Sequence, residues 1–216
     1  QDGANIANRP IFGLPTELEP YGFINVTNYQ EQKDGKSFMN RGEAKLIVSM
    51  IKYLQNQGIN IAQQVGIITF YSGQVECLKQ ELRSGAIRDV TPQTVDGFQG
   101  DEKDIILISF VRSNNRQNVG FLSDFRRLNV AITRAKNALI MVGNFKTLQG
   151  DPDLKSLLAD AKQRRCIYDS NSIGVKYWPT VQQLRQQPGS QQERAHQEQL
   201  RQQQGSQQER AHQEQL

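Results

Sequence analysis

The stretch Val119–Asn144, VGFLSDFRRLNVAITRAKNALIMVGN, decides how the chain folds. It reads as a turn, a helix and then a buried strand. Phe121 and Leu122 are apolar, and Ser123 or Asp124 offers an oxygen to the free N–H groups at the start of the next helix. Leu128, Ala131, Ile132 and Ala135 fall at i, i+3, i+4 and i+7, so the spacing predicts a helix with one apolar face. Arg126, Arg127, Arg134 and Lys136 stay off that face. Ala138–Val142 then runs apolar without alternation and stops at Gly143, the pattern of a strand covered on both sides, as in a parallel sheet.

The same grammar repeats on either side. Tyr21–Thr27 reads as a first strand, and 28–42 as a polar loop. Ala44, Ile47, Val48, Ile51 and Leu54 predict an amphipathic helix over 41–57, ended by Gly58. Val65–Phe70 reads as a buried strand followed by a helix over about 72–83. Thr94 and Val95 close a short strand, and Asp104–Val111 is the strongest strand in the chain. Leu154, Leu157, Leu158 and Ala161 mark a helix over 152–164, and Cys166–Tyr168 reads as a last strand. Alternating strands and helices predict an α/β fold, a doubly wound parallel sheet with helices on both faces.

The domain reading is an irregular lead-in over 1–20, an α/β domain over 21–181 and a glutamine-rich tail over 182–216. In the tail, the 16 residues from Arg185 recur from Arg201 with Pro188 replaced by Gln204. The tail has too few apolar side chains to bury a core. Its repeat charges cancel, so the basic surplus lies outside the tail, in the globular part. A mildly basic domain is compatible with a nucleic-acid partner. His196 and His212, one per repeat, read as solvated bystanders, and no metal site is expected. Cys77 and Cys166 form no metal-binding pair and read as reduced core residues of an intracellular protein. No run approaches the ~18 apolar residues of a membrane span. The chain begins with Gln1 and reads as part of a longer protein.

Three strings carry chemistry. TVDGFQGDEKD, Thr94–Asp104, places Gly97 and Gly100 around a sharp turn crowded with polar side chains. Asp96 and Lys103 read as a local ion pair that would hold it. IITFYSGQ, Ile67–Gln74, supplies hydroxyls at Thr69 and Tyr71, and Tyr71 offers either a stacking surface or strand-end packing. NRGEA, Asn40–Ala44, has Asn40 as an N-cap and Glu43 in the first helical turn, a structural role.

Together with RRLNVAITRA, these strings resemble motifs IV, V and VI of superfamily 1 helicases. The closest branch is the 5′-to-3′ one that contains the nonsense-mediated-decay RNA helicase and senataxin. The similarity covers about residues 21–170, with Phe70 in place of the family's usual proline. It implies a C-terminal RecA-like lobe. By the resemblance, Arg134 is an arginine finger toward the γ-phosphate of ATP, Gln99 and Gly100 form a turn facing the interlobe cleft, and Glu102 contacts the ribose. It also implies that Thr69, Tyr71, Thr94 and Arg112 face single-stranded RNA or DNA.

No GxxxxGK[ST] string is present, so the lysine cradle for phosphates and the hydroxyl for Mg²⁺ are expected on a first RecA-like lobe of the same protein. ATP with Mg²⁺ is the expected cofactor, and the isolated chain is expected neither to hydrolyse ATP nor to unwind a duplex. The alternative is a non-catalytic helicase-like module that binds nucleic acid or protein. An unrelated dinucleotide-binding domain is disfavoured, because no GxGxxG follows the first strand.

Overall fold

A computed structural model describes residues 19–170 of the chain. The 182–216 tail and nearly all of the 1–20 lead-in lie outside the described residues. The elements run β1 (Tyr21–Asn25), β2 (Gln32–Asp34), β3 (Ser37–Met39), α1 (Arg41–Asn56), α2 (Ile61–Gln64), β4 (Val65–Thr69) and α3 (Ser72–Ser84). They continue with β5 (Gln93–Thr94), β6 (Lys103–Ser109), a 3-10 turn (Gly120–Ser123), α4 (Phe125–Ile132), β7 (Ala135–Gly143), α5 (Phe145–Leu148), α6 (Pro152–Gln163) and β8 (Ile167–Asp169).

Six strands form one sheet in the order β5-β4-β6-β7-β1-β8, and every pairing in it is parallel. Helices cover both faces. In β6, Ile105 and Leu107 pack with residues of α1 and α3, such as Ile47 and Leu78. Ile106 and Ile108 point the other way, toward Leu128 of α4 and Leu158 of α6. The strand therefore reads as a continuous apolar run, because period-two alternation distributes its side chains to two cores. This is the expected RecA-like α/β fold.

Helix ends follow local chemistry. Asn40 caps α1, its Oδ1 accepting from the N–H groups of Gly42 (3.1 Å) and Glu43 (3.2 Å). Gly58, at φ +83°, takes the left-handed conformation just past the helix end. Asp124, rather than Ser123, caps α4 by accepting from the Arg126 N–H at 3.1 Å.

Two expectations are corrected. The polar loop over 28–42 contains the antiparallel hairpin β2–β3, which lies against α3 through Ser37 Oγ, an acceptor for the Gly73 N–H at 3.0 Å. The apolar spacing also placed Ala135 on a helix, yet α4 stops at Ile132 and Ala135 opens β7. The sheet claims this backbone: Lys103 N–H donates to Arg134 O at 3.2 Å, and Ala135 pairs with Lys103. Cross-strand pairing overrides the helical period here.

A buried polar hub ties α1 and α3 to the C-terminal end of β6. Asn40, Glu43, Gln74 and Ser109 are all fully buried. Glu43 Oε2 accepts from Ser109 Oγ (2.6 Å) and the Val111 N–H (2.9 Å), and Asn40 Nδ2 donates to Glu43 Oε1 at 3.3 Å. Gln74 Nε2 donates to Ser109 Oγ and Asn40 O, and Gln74 Oε1 accepts from the Asn40 N–H. Val111 sits at φ +72°, a costly conformation for a β-branched residue, held because Glu43 and Asn40 engage both its N–H and its carbonyl.

Burial pushes the Glu43 carboxyl up to about 8, against the opposing pull of its Ser109 and backbone donors. The folded state therefore holds a proton that the unfolded chain releases above about pH 4.5. Stability falls as pH rises from there toward 8, by an amount on the order of a few kcal/mol. Urea denaturation between pH 5 and 9 should show this decline in the wild type. Glu43→Gln, which cannot titrate, should flatten it.

Candidate functional site

The residues singled out from sequence separate into two groups at opposite ends of the sheet. Thr69 pairs with Thr94 and Ser109, so the ends of β4, β5 and β6 meet at the C-terminal edge. Tyr71 and Arg112 follow directly on two of these strands. Arg134 and Glu102 instead flank the paired starts of β6 and β7, at the N-terminal edge. The seven residues of β6 separate the two ends by about 20 Å at the usual rise per residue. Two segments run back between the edges, the turn-rich 95–102 stretch and α4.

At the N-terminal edge, Gln99, Gly100 and Glu102 are exposed. Gly100 has φ +92° and open space where a Cβ would stand. Arg134 lies just beyond α4, in the turn before β7, not on the helix as expected. Its Nε donates to Val130 O and its Nη2 to Thr133 Oγ1, each at 3.1 Å. A guanidinium carries five N–H donors, so two hold Arg134 at the negative end of α4 and three remain.

At the C-terminal edge, three of the four expected contact residues turn inward. Thr69 is fully buried, and its Oγ1 donates to Ser109 O at 3.0 Å. Tyr71 is buried, with its hydroxyl donating to Val119 O at 3.1 Å. Arg112 is also buried: Nε and Nη2 donate to Glu31 Oε2 (2.9 Å) and Oε1 (3.0 Å), Nη1 donates to Tyr71 Oη, and the guanidinium lies 4.4 Å from the Phe38 ring centre. In this arrangement these three side chains brace the edge instead of presenting donors to a ligand. Burial works against the Arg112 charge, but its bonds to Glu31 and Tyr71 outweigh that and hold it above its ordinary value. Burial likewise opposes the Glu31 charge, yet bonds from Arg112, Asn114 and Ser113 keep its carboxyl below the usual range.

Thr94 is half-buried and accepts from the Gly97 N–H at 3.2 Å. It lines an open cleft of about 570 Å³ together with Tyr71, Phe121 and Arg127. The cleft carries two cations, Lys36 and Arg127, against three carboxylates, Asp34, Glu76 and Asp96. The expected Asp96–Lys103 pair does not form. Asp96 instead takes both Nε (3.2 Å) and Nη2 (2.9 Å) of Arg127, and Lys103 Nζ donates to the carbonyls of Ala62 and Gln63 at the end of α2. Sequence reasoning passed over Glu31, Phe38 and Phe121. The first two lie in the segment read as loop. Phe121 is apolar in sequence, like the buried Leu122 beside it, and only the fold distinguishes the exposed ring from the buried side chain. Among the described residues no cluster of His, Cys, Asp or Glu is arranged to hold a metal, and no helix is long and apolar enough to cross a membrane. Cys77 and Cys166 are buried and free.

The family model described as an AAA domain matches residues 1–146. Regulator of nonsense transcripts 1 of Dictyostelium discoideum is 37% identical over 179 residues, 80% of this chain. The chain belongs to the superfamily 1 helicases. Helicase sen1 of Schizosaccharomyces pombe is 35% identical over 77% of the chain, and the Drosophila melanogaster homolog of regulator of nonsense transcripts 1 is 41% identical over 76%. This helicase chain spans only 13%, 10% and 14% of those three proteins, respectively.

Glu31→Ala leaves a buried guanidinium without its counter-ion and should destabilise the fold by about 3–5 kcal/mol in urea denaturation. Adding Arg112→Ala should recover part of that loss, because the stranded charge is then gone.

Proposed function

We propose that the chain is the C-terminal motor lobe of an ATP-dependent RNA or DNA helicase, supplying an arginine finger and part of a single-strand groove. One observation carries the reading: Arg134 stands beside the exposed Glu102 at one edge of the sheet with three donors uncommitted. The residues fit a nucleoside triphosphate chemically, since a guanidinium fork matches phosphate oxygens and a carboxylate can accept from ribose hydroxyls. ATP bound with Mg²⁺ would supply the phosphoryl group, with Mg²⁺ ligands and the phosphate cradle on a first lobe.

In this reading Arg134 stabilises charge on the transferring phosphoryl group, Glu102 orients the ribose, and Gln99 and Gly100 shape the turn between them. Thr94 contacts the single strand at the opposite edge. Tyr71, Arg112 and Thr69 act from behind, by fixing the surface the strand meets. The segment 95–102 and α4 connect the two edges, so movement of the lobe on nucleotide binding is felt at the strand.

The test uses the longer protein that carries both lobes. Arg134→Ala should lower ATP turnover by about 10³–10⁵-fold and leave strand affinity without nucleotide nearly unchanged. Arg134→Lys should restore little, because an ammonium lacks the planar fork. Arg126→Ala, on the exposed side of α4, should lose far less. If Arg134→Ala keeps normal turnover, the finger assignment fails. If the two-lobe protein binds strands but turns over no ATP, the non-catalytic module is the better reading.

A further inference from the structure

Phe121 presents a solvent-facing ring on backbone that is hydrogen-bonded on both sides of Gly120. The ring is 62% exposed, the highest value among the large apolar side chains described. Beneath it, Gly120 holds φ +55°, and a Cβ there would run into the Arg112 guanidinium. The Gly120 N–H donates to Asn118 Oδ1, and its carbonyl accepts from Ser123 Oγ, both at 3.0 Å. Val119 O accepts from the Tyr71 hydroxyl, and the Tyr71 ring lies 6.1 Å from that of Phe121. Tyr71 is backed by Arg112, which Glu31 grips with both carboxylate oxygens. A side chain serving no purpose outside the fold has no need of such bracing, whereas a contact surface gains from being fixed in advance.

The cleft that Phe121 borders narrows the choice of occupant. Its large apolar residues, Phe70, Tyr71 and Phe121, are all aromatic, with no leucine, isoleucine, valine or methionine among the lining. Between them stand the hydroxyls of Ser37, Ser72 and Thr94. An apolar protein segment would have to bury the charges of Asp34, Lys36 and Glu76 that line the cleft. A planar group with polar edges satisfies both kinds of surface. Charge alone would hold a polyanion poorly here, because two cations face three carboxylates and Arg127 is already paired with Asp96.

We propose that Phe121 is a base-stacking residue, a flat platform on which one unpaired nucleobase of a single strand rests, with Thr94 beside it for the flanking backbone. This rests on the nucleic-acid reading of the chain and deepens it: stacking, more than charge, holds the strand at this edge. The same geometry gives Tyr71 and Arg112 a purpose as positioning residues that hold the platform from behind. Stacking is tolerant of base identity, because every base has a π-face.

The experiment uses the 216-residue chain and a fluorescein-labelled oligouridine, followed by anisotropy. Phe121→Ala should weaken binding about tenfold. Phe121→Trp should retain affinity, and its indole emission should be quenched on binding. Phe125→Ala removes a ring of similar exposure (52%) that does not line the cleft, and should change nothing. An oligomer with abasic positions should bind the wild type about tenfold more weakly and Phe121→Ala no more weakly than intact oligouridine does. Circular dichroism melts should show all variants folded, since the ring is mostly in water. If wild type and Phe121→Ala bind intact and abasic strands alike, with affinity falling as salt rises, the platform is overturned and the nucleic-acid reading survives on phosphate contacts. If the folded wild type binds no strand even at low salt, both fail, and the ring covers a protein partner instead.

Discussion

A carboxyl group with no access to water stands at the centre of this molecule. Glu43 joins the start of α1 to the end of β6, and through Asn40, Gln74 and Ser109 it also fixes the start of α3. A buried polar network is high-stakes: every member must find its partners at once, or each becomes a liability. Here the four residues are each other's partners. That arrangement sets where β6 ends, forces Val111 into the left-handed region and so aims Arg112 at Glu31. The edge carrying the cleft is thus specified from the interior outward, by hydrogen bonds rather than by apolar packing alone.

The sheet separates its chemistry by polarity of direction. All strands of the main sheet run the same way, so one edge collects strand ends and the other strand starts. Arg134 and Glu102 lie at the starts, while Thr94 and Phe121 lie near the ends. The Asp96–Arg127 bridge fastens the two segments that run between the edges, and it is well exposed on both sides. Exposed pairs of this kind contribute little stability. This one sets geometry more than strength, holding α4 in register with the 95–102 segment.

Much of the fold was legible because its signals are local. Apolar runs such as Ile105–Ile108 need only their own residues to declare a strand buried on both faces, and Asn40 and Asp124 declare helix starts through their own side chains. The hairpin was not legible: Gln32, Lys33 and Asp34 are all exposed and show no alternation, and the partner of the hairpin is α3, 35 residues onward. The boundary at Thr133 failed for a related reason, since a helical period continued through Ala135 while the competing partner was β6. For the site, residue types and spacing revealed which positions matter but not which way they face. Arg112 is turned inward by Glu31, 81 residues earlier, and Asp96 is captured by Arg127, 31 residues later. Pairings across such separations leave no local mark.

The position of β1 has a consequence for synthesis. It is the first of the described strands in the chain, yet its two neighbours in the sheet are β7 and β8. At about 5–20 residues per second, the ribosome needs several seconds to over twenty to reach Leu139, the residue that pairs with Tyr21. Throughout that interval Phe23 and Ile24, both fully buried in the finished domain, have no strand to rest on. The nascent chain must carry an open, apolar strand until more than a hundred further residues have emerged. Each edge of β1 is closed by a different late element, β7 and then β8, so β1 is enclosed on both sides only after the chain has passed α6.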